Sequence, residues 1–234
     1  HAFVADWSGG LRVFNVADAR GPVEVAELKT GGNPERLTLQ GHDLLVTQWP
    51  ESLLRVDVRV PAAPRAVRSL AAARCAAIAA GRAFTVDPEG RFHVYDLAQS
   101  RWITLSGMVI AVLTEPVRAL AAMENPAYLV ALAIGNDGQA DLLTTIDIRS
   151  PATPKLLGHV RLSEVTHFQA VDVVLQDRIA YALLVRPARL LVIDLVRPQM
   201  PRLLGQVALP RLENLPTMQV AGGRAYVAGG RWFG

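Results

Sequence analysis

Two stretches of this chain are near copies of each other. Leu190 to Gly205 reads LLVIDLVRPQMPRLLG, and Leu143 to Gly158, 47 positions earlier, reads LTTIDIRSPATPKLLG. Eight of the sixteen positions are identical, among them the aspartate, both prolines and the closing Leu-Leu-Gly. A catalytic centre has little use for two copies of itself in one chain. A structural unit that cannot bury its apolar face alone, and so stacks on copies of itself, requires them.

Shorter versions of the signature recur. An apolar segment ends in an acidic or amide residue in LRVFNV, LLRVDV, FHVYDL, LTTIDI and LLVIDL, with anchors Asn15, Asp57, Asp96, Asp147 and Asp194. The anchors stand 42, 39, 51 and 47 residues apart, close to the ~40–50 residues of a four-stranded propeller blade. Prolines follow at plus four and plus seven in three copies: Pro61 and Pro64, Pro151 and Pro154, Pro198 and Pro201. The first copy keeps only Pro22, at plus seven, and the third, DLAQSRWIT, has neither. An Asp or Asn side chain there can accept hydrogen bonds from N–H groups of the following turn. Proline fixes φ and removes donors where an edge strand begins. The motif therefore predicts strand, turn, strand once per unit.

Upstream lies a second strand pair, in ERLTLQGHDLLVTQ, CAAIAAGRAFTV, FQAVDVVLQDRIAYALL and MQVAGGRAYVAG, with turns at Gly41, Gly81, Asp177 and Gly223 where positive φ is often needed. Each unit then has strands A, B, C and D. Strand C is apolar on both faces, Leu190 and Val192 alternating with Leu191, Ile193 and Leu195, as a blade sandwiched between neighbours requires. The Ala-rich SLAAARCAAIAAG falls at the strand-A position and reads as strand. The expected fold is an all-β propeller of four-stranded antiparallel blades, a single domain over 1–234 with about five blade equivalents. The chain opens on a strand-B segment, HAFVAD, and closes on another, RAYVAGG. That duplication predicts a segment of a six- to eight-bladed ring, incomplete at both ends.

The stretches AFVADWSGGLRVFNVADARGPVEVAEL, LLVIDLVRPQMPRLLGQV and RAYVAGG resemble the LVIVD-type repeat. The resemblance covers nearly the whole chain in five partial or complete units. It implies a β-propeller and an extracellular, cell-surface or periplasmic location in a bacterial or archaeal protein; it implies no particular reaction. The third unit departs at its turn, and the fourth carries an insertion before its anchor.

In a propeller the B–C and D–A loops share one face. The B–C loops DWSGG, WPES, DPEG, GNDGQAD, RPA and GGRWFG contribute Asp6, Trp7, Trp49, Glu51, Asp87, Glu89, Asn136, Asp137, Asp141 and Trp232 as candidate binding residues. Three of the four tryptophans lie there, and aromatic anchors are enriched at interface hot spots. GNDGQAD, with Asn136, Asp137 and Asp141, has oxygen ligands suited to Ca2+ but lacks the spacing and terminal glutamate of an EF-hand. A polar hairpin loop, with Asn and Gly supplying positive φ, accounts for it better. Glu164 and His167, in the D–A loop RLSEVTH, form a candidate acid–base pair.

The remaining features restrict function. The net charge is +3, and 22 arginines beside Lys29 and Lys155 are spread along the chain. A scattered charge makes a poor phosphate track, so nucleic acid is not an expected partner. The longest apolar runs, AYLVALAI and MVIAVL, are far short of the ~20 residues of a membrane-spanning helix. Cys75 is the only cysteine and reads as a small buried hydrophobe. Local enzyme signatures such as G-x-S-x-G, H-E-x-x-H or a P-loop do not occur. These features predict a non-enzymatic scaffold, with no cofactor, that binds a protein or polymer surface through its loop face. The alternatives are a lactonase-like propeller hydrolase with a divalent metal in its channel, and a subunit of a larger assembly.

Overall fold

The computed structural model describes residues 1–105, 117–133, 142–162, 169–212 and 216–229. All strand pairs among them are antiparallel, in six sheets. A three-stranded sheet comes first: β1 (Ala2–Ala5), β2 (Leu11–Asn15) and β3 (Val23–Leu28). The second sheet has four strands, β4 (Asn33–Gln40), β5 (Asp43–Trp49), β6 (Ser52–Asp57) and β7 (Arg65–Leu70). The third is β8 (Cys75–Ala79), β9 (Arg82–Val86), β10 (Phe92–Asp96) and β11 (Arg101–Ile103). The fourth is β12 (Val117–Glu124), β13 (Ala127–Ala133), β14 (Leu142–Asp147) and β15 (Lys155–Arg161). The fifth is β16 (Gln169–Gln176), β17 (Ile179–Val185), β18 (Arg189–Asp194) and β19 (Arg202–Ala208). The sixth is the hairpin β20 (Thr217–Ala221) and β21 (Arg224–Ala228).

The local devices read from the sequence are in place. Gly41, Gly81, Asp177 and Gly223 have φ of 58°, 69°, 51° and 71°. Each anchor accepts a backbone hydrogen bond from its turn. The donors are Ala17 to Asn15, Arg59 to Asp57 and Arg149 to Asp147, each at 2.9 Å, and Val196 to Asp194 at 2.8 Å. The third copy differs as its missing prolines suggest: Asp96 takes its bond from Gln99, one residue further on, at 2.8 Å. At Asp57, side-chain and backbone hydrogen bonds from Arg59 hold the carboxyl down to about 2.

Burial explains the apolar character of the middle strands. Along β13, Leu129, Ala131 and Ala133 pack with Phe84, Val94 and Ile146 on one side. Tyr128, Val130 and Leu132 pack with Ala182, Leu191 and Ile193 on the other. Every second residue thus belongs to a different inter-blade core, and no face of the strand is left for water.

The inner hairpins close at Gln40–Asp43, Ala79–Arg82, Glu124–Ala127, Gln176–Ile179 and Ala221–Arg224. Four residues back from each closing pair stand Arg36, Cys75, Leu120, Asp172 and Thr217, all lining one channel. Five inner strands at one level make a five-bladed ring, not the expected segment of six to eight. Four blades are complete. In the remaining sector β20 lies against β16, and β1 lies against β4. Both copies of strand B fall in that one sector, β21 paired to β20 and β1 paired to β2, and β1 and β20 line the same channel, so no larger ring is needed to accommodate them.

Candidate functional site

The loop end of the ring gathers most of the candidate residues that fall in described segments, and their own arginines occupy the carboxylates. Asp6 Oδ2 lies 3.2 Å from Arg12 Nη1, while Arg12 also holds Glu24. Glu51 Oε1 pairs with Arg74 Nη2 at 3.3 Å, tying the loop of the second sheet to the start of the third. Asp87 is buried; it accepts from the Arg91 backbone at 2.8 Å and Arg91 Nε at 2.7 Å, with His93 Nε2 at 2.9 Å. Burial pushes the Asp87 carboxyl up, but the bonds from His93 and Arg91 reverse this and bring it to about 2. Glu89 pairs with the same Arg91 at 2.8 Å. Trp7 is half-buried in a one-turn helix, whereas Trp49 is 52% exposed. Asn136, Asp137, Asp141, Trp232, Glu164 and His167, and the loop GMVIAVLTEP, lie outside the described residues.

Residues that the sequence did not single out as a site stand at the channel. It encloses about 520 Å³, and Glu35, Arg36, Cys75, Asp172, Thr217 and Gln219 are among its polar lining. Asp172 joins three sheets. It accepts from Arg36 Nη1 at 3.0 Å across the channel, from Met218 N at 2.7 Å and from Thr217 Oγ1 at 3.3 Å. Arg36 also donates to the Val171 carbonyl. At the opposite end of the inner strands Glu124 makes a second brace, accepting from Gln40 Nε2 and, at 2.8 Å, from Ala80 N.

Arg118 directly precedes the channel-lining Ala119 and Leu120 and feels the charges of Arg74 and Arg36. Partial burial, then repulsion by Arg74 and Arg36, lowers the Arg118 pKa. Burial raises that of Glu35 against the pull of Arg36. Cys75 is pushed up to about 12 by burial, which leaves it an unreactive thiol. Among the described residues no group of three His, Cys, Asp or Glu side chains is arranged to hold a metal ion. One signal for this site was present in the sequence: Asp172 interrupts the apolar run AVDVVL, and a charge there needs a partner.

These features define a β-propeller whose channel is braced by the Arg36–Asp172 ion pair at one level and by hydrogen bonds to Glu124 at the other, and whose loop end is rich in arginine. No family model matches the chain, and no curated protein does. Solved structures are similar in fold. A functionally unknown protein from Desulfotomaculum acetoxidans DSM 771 aligns over 95% of this chain and 70% of its own, with TM-score 0.67 and 13% identity. A chain of a nidogen/laminin complex aligns over 97% and 84%, with TM-score 0.63 and 13% identity. A chain of the complex of KlAtg21 with the coiled coil of AgAtg16 aligns over 97% and 73%, with TM-score 0.63 and 10% identity. At such identities the likeness is one of fold alone.

Proposed function

We propose that this propeller is a non-enzymatic, exported or cell-surface scaffold that engages a protein partner through its B–C/D–A loop face. The observation that carries the reading is Trp49, 52% exposed on a face whose candidate carboxylates Asp6, Glu51, Asp87 and Glu89 are engaged by arginines. A large, stiff aromatic ring ringed by neutralised charge suits a desolvated contact. Two of the similar structures are complexes with another protein, which supports the same use of the fold. The resemblance to the LVIVD-type repeat supports the location, and a place in a larger assembly is the same reading extended. A hydrolase would favour channel carboxylates free to meet a metal or substrate; Asp172 instead spends both oxygens on protein donors.

The test is cross-linking and native mass spectrometry of the protein in extracts of its own source. Trp49→Ala is compared with Val67→Ala, an exposed residue on the outer strand β7. Cross-links mapping to 49–51 and 87–91, lost in Trp49→Ala only, are expected. Equal partner recovery by both variants would refute the assignment of this face.

A further inference from the structure

We propose that copies of this chain associate head to tail, the outer half of one copy's fifth sheet receiving the β2–β3 turn of the next. The template is the contact between the fourth and fifth sheets. There the turn between β18 and β19 lies on β15, with the Pro198 and Gln199 carbonyls over Gly158 and Thr145 Oγ1 donating to Pro198. Leu157 and Val160 are half-buried in the same contact, against the cluster that holds Leu191, Ile193 and Leu195.

The duplicated motif builds the same receiving surface 47 residues later and leaves it bare. A Cβ on Gly205 would meet nothing within 4 Å, and Leu204 and Val207, the copies of Leu157 and Val160, are 54% and 52% exposed. The strand itself is not the cause. Leu156 and Leu203, matching positions on the opposite face, are exposed alike at 46% and 41%. The last hairpin packs only on the inner part of the sheet, where Met218 meets Leu183 and Leu190. Val67, at the matching position of β7, is also exposed, but the turn of the next unit is short. There β11 begins five residues after Asp96, whereas β15 and β19 begin eight after Asp147 and Asp194.

The matching insert stands on the first sheet. The turn 17–22 is exposed throughout and has the full length, β3 beginning eight residues after Asn15. Its bonds from Ala17 N to Asn15 and from Gly21 N to the Asp18 carbonyl repeat those from Val196 N to Asp194 and from Met200 N to the Arg197 carbonyl. Beside it Val4 and Val16 are exposed, although their counterparts in the fifth unit, Ala182 and Leu195, are fully buried against the fourth sheet. One molecule therefore holds both halves of a sheet-to-sheet contact and does not make it, because β1 is packed on β4 and β20 on β16. A second copy can make it from outside. The two patches differ, so each added copy brings a fresh receiving face, and growth does not stop at symmetry.

This contact avoids the loop face, so it stands or falls separately from the scaffold reading. Sedimentation equilibrium of the full chain from about 1 to 300 μM, the range of weak interfaces, should show an average mass that rises with concentration. Gly205→Arg, whose side chain starts in open space in the single copy, should remain monomeric, because the contact would bury an unpaired charge. Val16→Arg should do the same from the other side. An equimolar mixture of the two should form a dimer and nothing larger, since one variant keeps the insert and the other the receiving face. Leu156→Arg and Trp49→Ala should associate as the unaltered chain does. A chain that stays monomeric throughout would overturn the proposal, as would undiminished association of Gly205→Arg or a mixture that fails to dimerise.

Discussion

The twin glycines that close the duplicated motif, Gly158 and Gly205, should respond in opposite ways to the same substitution. A Cβ on Gly158 would stand 2.4 Å from the Gln199 carbonyl oxygen and 2.7 Å from its carbon. Gln199 lies in the turn between β18 and β19, so the clash is with the next blade. Carbon and carbonyl oxygen normally keep ~3.3 Å or more, so the two blades must part by about 1 Å. Thr145, which donates to the Pro198 carbonyl of that turn, would be pulled with them. Overpacking of this kind costs about 1–3 kcal/mol, offset by ~0.4–1 kcal/mol from the stiffer unfolded chain. At Gly205 an added Cβ meets nothing within 4 Å, so only the favourable term of about 0.4–1 kcal/mol remains. The two variants should therefore differ by about 2 kcal/mol, or roughly 4–8 °C in Tm for a chain of this size. Urea and thermal unfolding of Gly158→Ala and Gly205→Ala measure this directly. Equal shifts would refute the claim that the Gly158 contact belongs to blade stacking rather than to the strand itself.

Two further outcomes follow from the braces and the loop carboxylates. Asp172→Ala leaves Arg36 without its partner and Met218 N without an acceptor, and should cost about 3 kcal/mol, the low end for a largely buried pair; adding Arg36→Met should recover part of this loss, and strict additivity in the double-mutant cycle would count against the cross-channel pair. Asp87, held at about 2 in the fold against ~3.9 unfolded, contributes stability that is present above pH ~4 and lost as pH falls toward ~2. The amount is about 2 kcal/mol, allowing for the exposed position of Arg91. The acid limb of the denaturant midpoint should flatten in Asp87→Asn over that window, and parallel curves for the two proteins would contradict the assignment.

What could be read from the chain was whatever depends on neighbours in sequence. Asp57 and Asp147 meet the N–H two residues on because the turn is local, and Asp96 slides to the third residue because its turn lacks the prolines. The Asp87–Arg91 and Glu89–Arg91 pairs are equally local, yet Asp87 and Glu89 were read as binding residues because the sequence shows the spacing of a loop and not the direction of its side chains. The channel was hidden for the opposite reason. Arg36 and Asp172 are 136 residues apart and meet only because two inner strands have the same length above their turns. The number of blades was hidden too: the duplicated strand B fits an unfinished larger ring or a ring whose last sector is shared by two sheets, and the meeting of β4, β8, β12, β16 and β20 round one channel decides it.

That shared sector changes how the ring holds itself. Where one sheet contains strands from both sides of the closure, its backbone ladder joins those two sides; here the three-stranded sheet and the last hairpin are separate sheets, and Asp172 and Arg36 tie their neighbours across that sector. Stability in such an array is a sum over neighbours, and the hairpin β20–β21, exposed along most of its length, has little to draw on. Local opening should begin there. Because Thr217 and Met218 of that hairpin hold the carboxylate that also holds Arg36, its fraying loosens the channel wall from one side. The hairpin expected to open first among the described strands is thus tied to the channel wall.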